Sequence, residues 1–145
     1  MEQQAVERVF TIQEMAQATR LSAHTLRYYE RAGLMLQRIG RDEGNGYRFY
    51  SQEDLDWVEF LKRLRATGMP IRDIQRYTNL LRQGEETIPE RLQLLKQHQR
   101  RVEEHLKESE RHLEVITFKI DCYEQLHTQH KTASWGEYLL EPGDE

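Results

Sequence analysis

The fold is decided by residues 21–50, whose sequence is LSAHTLRYYERAGLMLQRIGRDEGNGYRFY. Ser22 is a typical helix N-cap, and the residues after it predict a short polar helix that Gly33 ends with a left-handed backbone conformation. The second half, closed by Asn45-Gly46, predicts a tight hairpin that carries arginine. Because such side chains suit contacts to phosphates and base edges, the stretch indicates two local structures that lie against one duplex.

The composition limits the class of protein. The chain has 145 residues, of which 37% are apolar and 32% charged. This is enough for one modest domain plus one long element. No apolar run approaches the roughly 18 residues of a membrane span, and the N-terminus has no secretion-type core, so we expect no membrane partner. A single cysteine, Cys122, excludes an internal disulfide and favours a cytoplasmic location.

The basic charge is local. The net charge is −4, but residues 20–48 hold six arginines against three acidic residues. Residues 81–145, in contrast, hold 9 Lys+Arg against 14 Asp+Glu. A local basic surface is expected of a nucleic-acid footprint, although a solvated arginine-rich face would give the same counts.

A second capped helix precedes this stretch. Thr11, followed three residues later by Glu14, predicts a capping box that satisfies two backbone amides. Two short helices joined by a few residues, the second basic on its free face, predict a helix-turn-helix over about residues 11–32. An ordinary pair of antiparallel helices is the alternative that the pattern leaves open.

A hairpin and two further helices follow. Residues 34–36 predict a strand paired with residues 47–50, which gives a small wing over about residues 34–50. Ser51, with an acidic N3 residue, predicts a helix over about 51–67. Pro70 predicts the start of another over about 70–83. The inner stripe expected of this last helix is Ile71, Ile74, Tyr77, Thr78 and Leu81.

A long uninterrupted helix is predicted over residues 88–130. Its apolar residues step by three and four in a heptad pattern, and such a helix cannot bury its stripe alone, so we expect a dimer. Residues 131–145 are too few for a domain, and we expect a tail that folds back on the coiled coil or on the partner's DNA-binding domain. The residues expected at the dimer contact are Leu92, Leu95, Val102, Leu106, Leu113, Ile116 and Ile120.

Together these motifs resemble the MerR family of bacterial transcription regulators, over roughly residues 9–125. The resemblance implies a mainly α protein, with a winged helix-turn-helix domain over residues 1–84 and a dimerisation helix over 88–130 that forms an antiparallel coiled coil. The first wing strand departs from the family pattern, because no proline follows Gly33-Leu34. The matching residues are Ser22, Thr25 to Glu30, Gly33-Leu34, Arg41, Asn45 to Arg48, Tyr50, Gly68-Met69, Ile71 and Asp73-Ile74.

The function implied by this resemblance is sequence-specific regulation of transcription. Family members bind a pseudo-palindrome in an over-long promoter spacer as homodimers, and they bend and untwist that DNA so that RNA polymerase meets realigned promoter elements. The alternative is an architectural or repressor-only DNA-binding protein without a small-molecule effector. The DNA contacts carried over are Ser22, His24, Thr25, Arg27 and Tyr28 from the helix and Arg41 and Arg48 from the wing. Tyr50 is expected either to contact DNA or to pack the wing against the helix. Arg38, in the segment that lacks the proline, is expected to add a phosphate contact.

Candidate sensor residues lie on the long helix. Metal-sensing relatives use two or three cysteines, so Cys122 alone predicts no thiolate metal site; it is either a redox or electrophile sensor or an inert thiol. His98, His105 and His112 recur every seven residues beside the heptad stripe. They form either a zinc-binding or proton-sensing cluster across a two-fold axis or a solvated flank. We expect no cofactor and no enzyme, because no nucleophile, base or metal set converges.

Overall fold

The computed structural model describes residues 8–129, together with residue 136 and residues 142–143. The tail expected over residues 131–145 therefore lies almost entirely outside the described residues. The chain divides into two compact units, Met1–His98 and Gln99–Glu145. The elements in chain order are β1 (Val9–Thr11), α1 (Ile12–Thr19), α2 (Ala23–Arg31), β2 (Gly40–Arg41), β3 (Arg48–Ser51), α3 (Gln52–Ala66), α4 (Ile71–Arg82), a 3-10 turn (Glu85–Thr87) and α5 (Ile88–Gln129).

Three predicted helix starts are confirmed. At α1, the Thr11 hydroxyl accepts from the Glu14 amide, and the Glu14 carboxylate accepts from the Thr11 amide, each at 3.1 Å. Ser51 and Asp54 form the same reciprocal pair at the start of α3. Ser22 caps α2 by accepting from the Thr25 amide at 3.0 Å. Each such cap is worth about 1 kcal/mol because it satisfies amides that the helix itself leaves unpaired.

The sheet differs from the predicted two-stranded wing. It has three antiparallel strands in the order β1-β3-β2, with Phe10 opposite Tyr50 and Arg41 opposite Arg48. Strand β1 was not predicted, because three residues before a capping box carry too little alternation to identify a strand. It places the Phe10 side chain in the core, where 5% of it is exposed.

The predicted strand over residues 34–36 is wrong. Leu34 and Met35 are buried, and side chains of later helices take up the backbone carbonyls of this segment. The Trp57 indole N–H donates to the Leu34 carbonyl at 2.8 Å, and the Arg82 guanidinium donates to the carbonyls of Met35 and Leu36. With those acceptors occupied, the segment anchors α3 and α4 rather than forming a ladder, and the strand begins at residue 40.

The hydrophobic core of the first unit draws on all five α-helices and on strands β1 and β3. In α4 the predicted Ile74 and Thr78 are buried, but at the end of the helix Leu80 is buried and the predicted Leu81 is only half-buried. The 3-10 turn follows this end of the helix, and the Thr87 hydroxyl donates to the Leu80 carbonyl at 2.6 Å. The first turns of α5 contribute Leu94, which is 4% exposed. The core residues are Phe10, Met15, Leu26, Tyr29, Leu34, Met35, Ile39, Tyr50, Val58, Leu61, Met69, Ile74, Leu80 and Leu94.

The second unit contains the rest of α5, and none of residues 99–129 is buried. The predicted heptad residues are all exposed in the single chain, from 39% for Leu95 to 65% for Leu113. The mainly helical class, with a small antiparallel sheet and a long C-terminal helix, is confirmed. Among the described residues no helix has both the length and the apolar character needed to cross a bilayer.

Candidate nucleic-acid interface

Helix α2 has one buried and one exposed face. Leu26 and Tyr29 lie three residues apart and pack into the core. Burial raises the pKa of the Tyr29 hydroxyl, an effect that the Arg65 charge opposes. Of the paired tyrosines, Tyr28, which is expected to contact DNA, is 40% exposed, whereas Tyr29 is 6% exposed. The exposed side chains, here called the recognition face, are Ser22, His24, Arg27 and Tyr28, with Thr25 half-buried beside them.

The hairpin between β2 and β3 is a compact turn rather than a loose loop. The Asp42 carboxylate accepts from the amides of Gly44 and Asn45 at 2.8 and 3.0 Å, and the Asn45 side chain accepts from the Tyr47 amide at 2.9 Å. These local bonds fix the turn, as Asp and Asn side chains do. Tyr47 is left 74% exposed at its end.

Glu30 joins the helix to the wing. Its carboxylate accepts from Arg48 Nε at 2.6 Å and from a terminal nitrogen of Arg41 at 3.3 Å. Arg41 and Arg48 are direct partners across the β2–β3 ladder. These two of the three arginines expected at phosphates therefore contact the helix that carries the recognition face.

Tyr50 is not part of this surface. Its side chain is 1% exposed, and its hydroxyl has no hydrogen-bond partner among the described residues. Burial raises the pKa of this hydroxyl, and the negative charge of Glu30 adds to the effect. The expectation that Tyr50 contacts DNA is wrong, because pairing of β3 with β1 turns its ring into the core opposite Phe10.

Two other basic residues have different surroundings. Arg38 is exposed, and it makes no ion pair with any residue that the structure describes. Lys62 donates to the carbonyl of Thr19 at 2.5 Å, and its ammonium lies 3.3 Å from the Glu59 carboxylate. The C-terminal end of α1 carries partial negative charge and is stabilised by a nearby cation, so Lys62 has a structural role at this helix end.

The three spaced histidines do not share an environment. His98 is buried in the first unit, where its Nε2 lies 2.9 Å from the Thr67 hydroxyl and its Nδ1 has no partner among the described residues. His105 and His112 are exposed residues of the second unit. A solvated flank is therefore wrong for His98, and a sensing cluster across a two-fold axis stays a prediction. Cys122 is a half-buried free thiol, and no group of three His, Cys, Asp or Glu residues within the described ranges has metal-binding geometry.

The family is shown by comparison with known proteins. The family described as "MerR HTH family regulatory protein" matches residues 10–81, and the family "MerR, DNA binding" matches residues 55–128. An HTH-type transcriptional regulator of Haemophilus influenzae is 35% identical over 116 residues, which are 80% of this chain and 84% of the relative. The chain belongs to the MerR family. It is thus a DNA-binding transcriptional regulator of the MerR type.

Solved structures of MerR regulators have the same fold. HiNmlR, described as a MerR family regulator lacking the sensor domain and bound to promoter DNA, is 33% identical with a TM-score of 0.70, over 86% of this chain and 97% of that chain. A MerR family regulator of Listeria monocytogenes is 34% identical with a TM-score of 0.75, over 83% and 92%. The regulator AdhR of Bacillus subtilis is 37% identical over 91 residues, 63% of this chain and 64% of the relative.

Sequence reasoning missed the role of Glu30. The available signal was its position in the last turn of α2, where the negative end of the helix dipole disfavours a carboxylate. A residue that contradicts a local rule in this way is expected at a functional site.

Proposed function

We propose that this MerR regulator binds a pseudo-palindromic promoter site as a homodimer and distorts an over-long spacer to control transcription by RNA polymerase. One observation carries the proposal: the recognition face of α2 and the wing arginines belong to one unit, joined through the Glu30 carboxylate. A helix with exposed Arg, His and Ser side chains beside a basic hairpin suits simultaneous contact with a major groove and the adjacent backbone.

The roles of the side chains follow from their exposure. Arg27 carries a bidentate donor suited to a guanine edge, while His24 and Thr25 lie one turn earlier on the same helix and Ser22 at its cap. Tyr28 adds an exposed ring with a hydroxyl donor. Arg38, Arg41 and Arg48 contact phosphates, which position the protein without specifying sequence.

The dimer part of the proposal rests on α5. Seven apolar residues, here called the seam, recur at heptad spacing and are each at least 39% exposed in the single chain. Burying one Leu or Ile side chain contributes about 1.5–3 kcal/mol, so a second copy that covers the seam stabilises both helices. In this proposal residues 1–84 form the DNA-binding domain and residues 88–130 the antiparallel dimerisation helix. The seam consists of Leu92, Leu95, Val102, Leu106, Leu113, Ile116 and Ile120.

The experiment is a hydroxyl-radical footprint of the protein on its own promoter region, with transcription assayed in parallel. We expect two protected half-sites related by two-fold symmetry, with altered cleavage at the unprotected centre where the DNA is distorted. Shortening the spacer by two base pairs should make transcription independent of the protein. Salt-sensitive protection without sequence preference would contradict the proposal and support the architectural alternative.

A repressor without distortion predicts another result. Protection of a palindrome with unchanged cleavage at its centre, together with transcription that the protein only lowers, would favour the repressor-only alternative.

A further inference from the structure

Glu30 occupies a position that helix physics disfavours. It lies in the last turn of α2, where the helix dipole favours cations, and it adds negative charge to a surface proposed to meet phosphates. Arg27 lies three residues before Glu30, close enough for an ion pair within the helix. The two carboxylate oxygens of Glu30 instead accept from Arg48 and Arg41 of the wing. The stability of α2 therefore does not explain why a carboxylate occupies position 30.

Glu30 contacts Arg48 in a way that leaves the two terminal nitrogens of the guanidinium available for a phosphate. Only Nε of Arg48 donates to the carboxylate, at 2.6 Å, and its two terminal nitrogens make no hydrogen bond to any described residue. Two parallel N–H groups of a guanidinium form the fork that binds a phosphate in bidentate fashion. The Glu30 contact holds the guanidinium at Nε, and this fork has no partner among the described residues, on a side chain that is 21% exposed.

The same carboxylate stabilises an unfavourable pair in the sheet. Arg41 and Arg48 face each other directly across the β2–β3 ladder, where like charges are destabilising. Glu30 contacts both guanidinium groups and offsets that repulsion. Arg41 also donates to the Gly46 carbonyl, which connects the carboxylate to the turn of the hairpin.

We propose that Glu30 is a positioning residue for recognition of the DNA backbone, because it orients the Arg48 fork toward a phosphate and fixes the wing relative to the recognition face. This inference rests on the proposed function. Its consequence runs against simple electrostatics: removing this negative charge from the DNA-binding surface weakens specific binding. The gain in Coulomb attraction is smaller than the cost of ordering a free arginine at the moment of binding.

The test compares Glu30→Gln with Glu43→Gln. Glu43 is an exposed residue of the hairpin that carries Arg41 and Arg48, and it has no ion pair among the described residues. Both changes therefore remove one negative charge from the region of the wing. Binding to the footprinted promoter fragment and to an unrelated fragment is measured by fluorescence anisotropy. We expect Glu43→Gln to bind as tightly as the parent or up to about threefold more tightly. Glu30→Gln should bind the promoter about tenfold more weakly, with much less change on the unrelated fragment.

A salt titration separates positioning from general damage. Loss of one phosphate contact reduces the slope of log K against log salt by about 0.9, whereas a partly unfolded sample has a lower active concentration and an unchanged slope. We expect reduced slopes for both Glu30→Gln and Arg48→Gln, and the double variant should bind within about twofold of Arg48→Gln. Losses that multiply in the double variant, or a Glu30→Gln protein that binds like Glu43→Gln, would overturn the inference.

The controls keep the outcomes distinct. A parent protein without preference for its promoter would defeat the proposed function itself, whereas a specific parent with an unaffected Glu30→Gln variant would defeat only the role of Glu30. If Glu30→Gln does not fold, Arg48→Lys keeps the charge but lacks both Nε and the fork. It should show the same loss of specific binding, and parent-like affinity would overturn the inference.

Discussion

Residues 8–98 and residues 99–129 use apolar side chains in opposite ways. All of the buried hydrophobic residues of the described chain lie in the first range, including Leu94 in the first turns of α5. The second range continues the same helix with Val102, Leu106, Leu113, Ile116 and Ile120, each more than 40% exposed. A single helix thus begins in a core and continues as an uncovered stripe. Its first part is stabilised within one chain, while in the proposed dimer a second copy would cover its second part.

The largest effect is expected from Leu113→Asp. Leu113 is 65% exposed in the single chain, and in a dimer the new carboxylate would be buried in an apolar contact of both copies. We expect a monomer at micromolar concentration by sedimentation equilibrium. Promoter affinity should fall by at least about 100-fold, since each half-site contact is then made alone.

The matched control for this change is Gln125→Asp. It alters the charge by the same amount at a position five residues after the seam residue Ile120, on the outer side of the predicted coiled coil, and should leave both the dimer and the promoter affinity unchanged. A Leu113→Asp protein that remains dimeric would show that the seam does not hold the two copies together.

Leu94 and Leu95 allow a core residue and a seam residue to be compared at adjacent positions of α5. Leu94 is 4% exposed and belongs to the core, whereas Leu95 is 39% exposed and belongs to the seam. Leu94→Ala should lower the free energy of unfolding by about 2–5 kcal/mol, because it removes buried atoms and leaves a cavity. Urea unfolding at two protein concentrations provides the measurement.

The two variants should respond differently to protein concentration. The change from parent in Leu94→Ala should be the same at both concentrations, whereas that in Leu95→Ala should be present where the parent is dimeric and absent where the parent is monomeric. Equal concentration dependence for both variants would contradict the division of α5 into a core part and a seam part.

Arg27→Ala tests the recognition face against the wing. We expect a loss of about 1–3 kcal/mol in promoter binding and a smaller loss on unrelated DNA, because a base contact is absent from nonspecific complexes. Arg38→Ala, in the segment before β2, should weaken both complexes to a similar extent. Competition anisotropy with the two DNA fragments measures both effects. Equal losses on the two fragments for Arg27→Ala would make it a phosphate contact.

The sequence predicted what depends on local pattern. The capping boxes at Thr11 and Ser51 and the cap at Ser22 are encoded within four residues each, so the starts of α1, α2 and α3 were predicted correctly. The uninterrupted heptads likewise predicted α5. The expectation that Tyr28 faces outward came from the family resemblance, and Tyr28 is exposed while Tyr29 is buried.

The errors concern interactions between segments distant in sequence. Residues 34–36 have the apolar character of a strand, but Trp57 and Arg82 take their carbonyls, and neither donor is signalled locally. The burial of His98 depends in the same way on Thr67, which lies 31 residues earlier. Tertiary partners of this kind override local preference.

The smallest effect, and the test of the corrected role of Tyr50, is expected from Tyr50→Phe. The hydroxyl is buried without a partner among the described residues, so its removal should leave the free energy of unfolding at pH 7 unchanged or raise it by up to about 1 kcal/mol. The pH dependence of stability tests the same residue, because burial raises the pKa of the Tyr50 hydroxyl above the ordinary value of 10.0. The folded protein then keeps a proton that the unfolded chain loses, so stability is complete below pH 10 and declines as the pH rises toward the folded pKa. Urea unfolding between pH 8 and pH 11 should show a shallower decline for Tyr50→Phe than for the parent, with Tyr29 contributing equally to both. Promoter affinity should not change, and a tenfold loss without loss of stability would return Tyr50 to the DNA-binding surface.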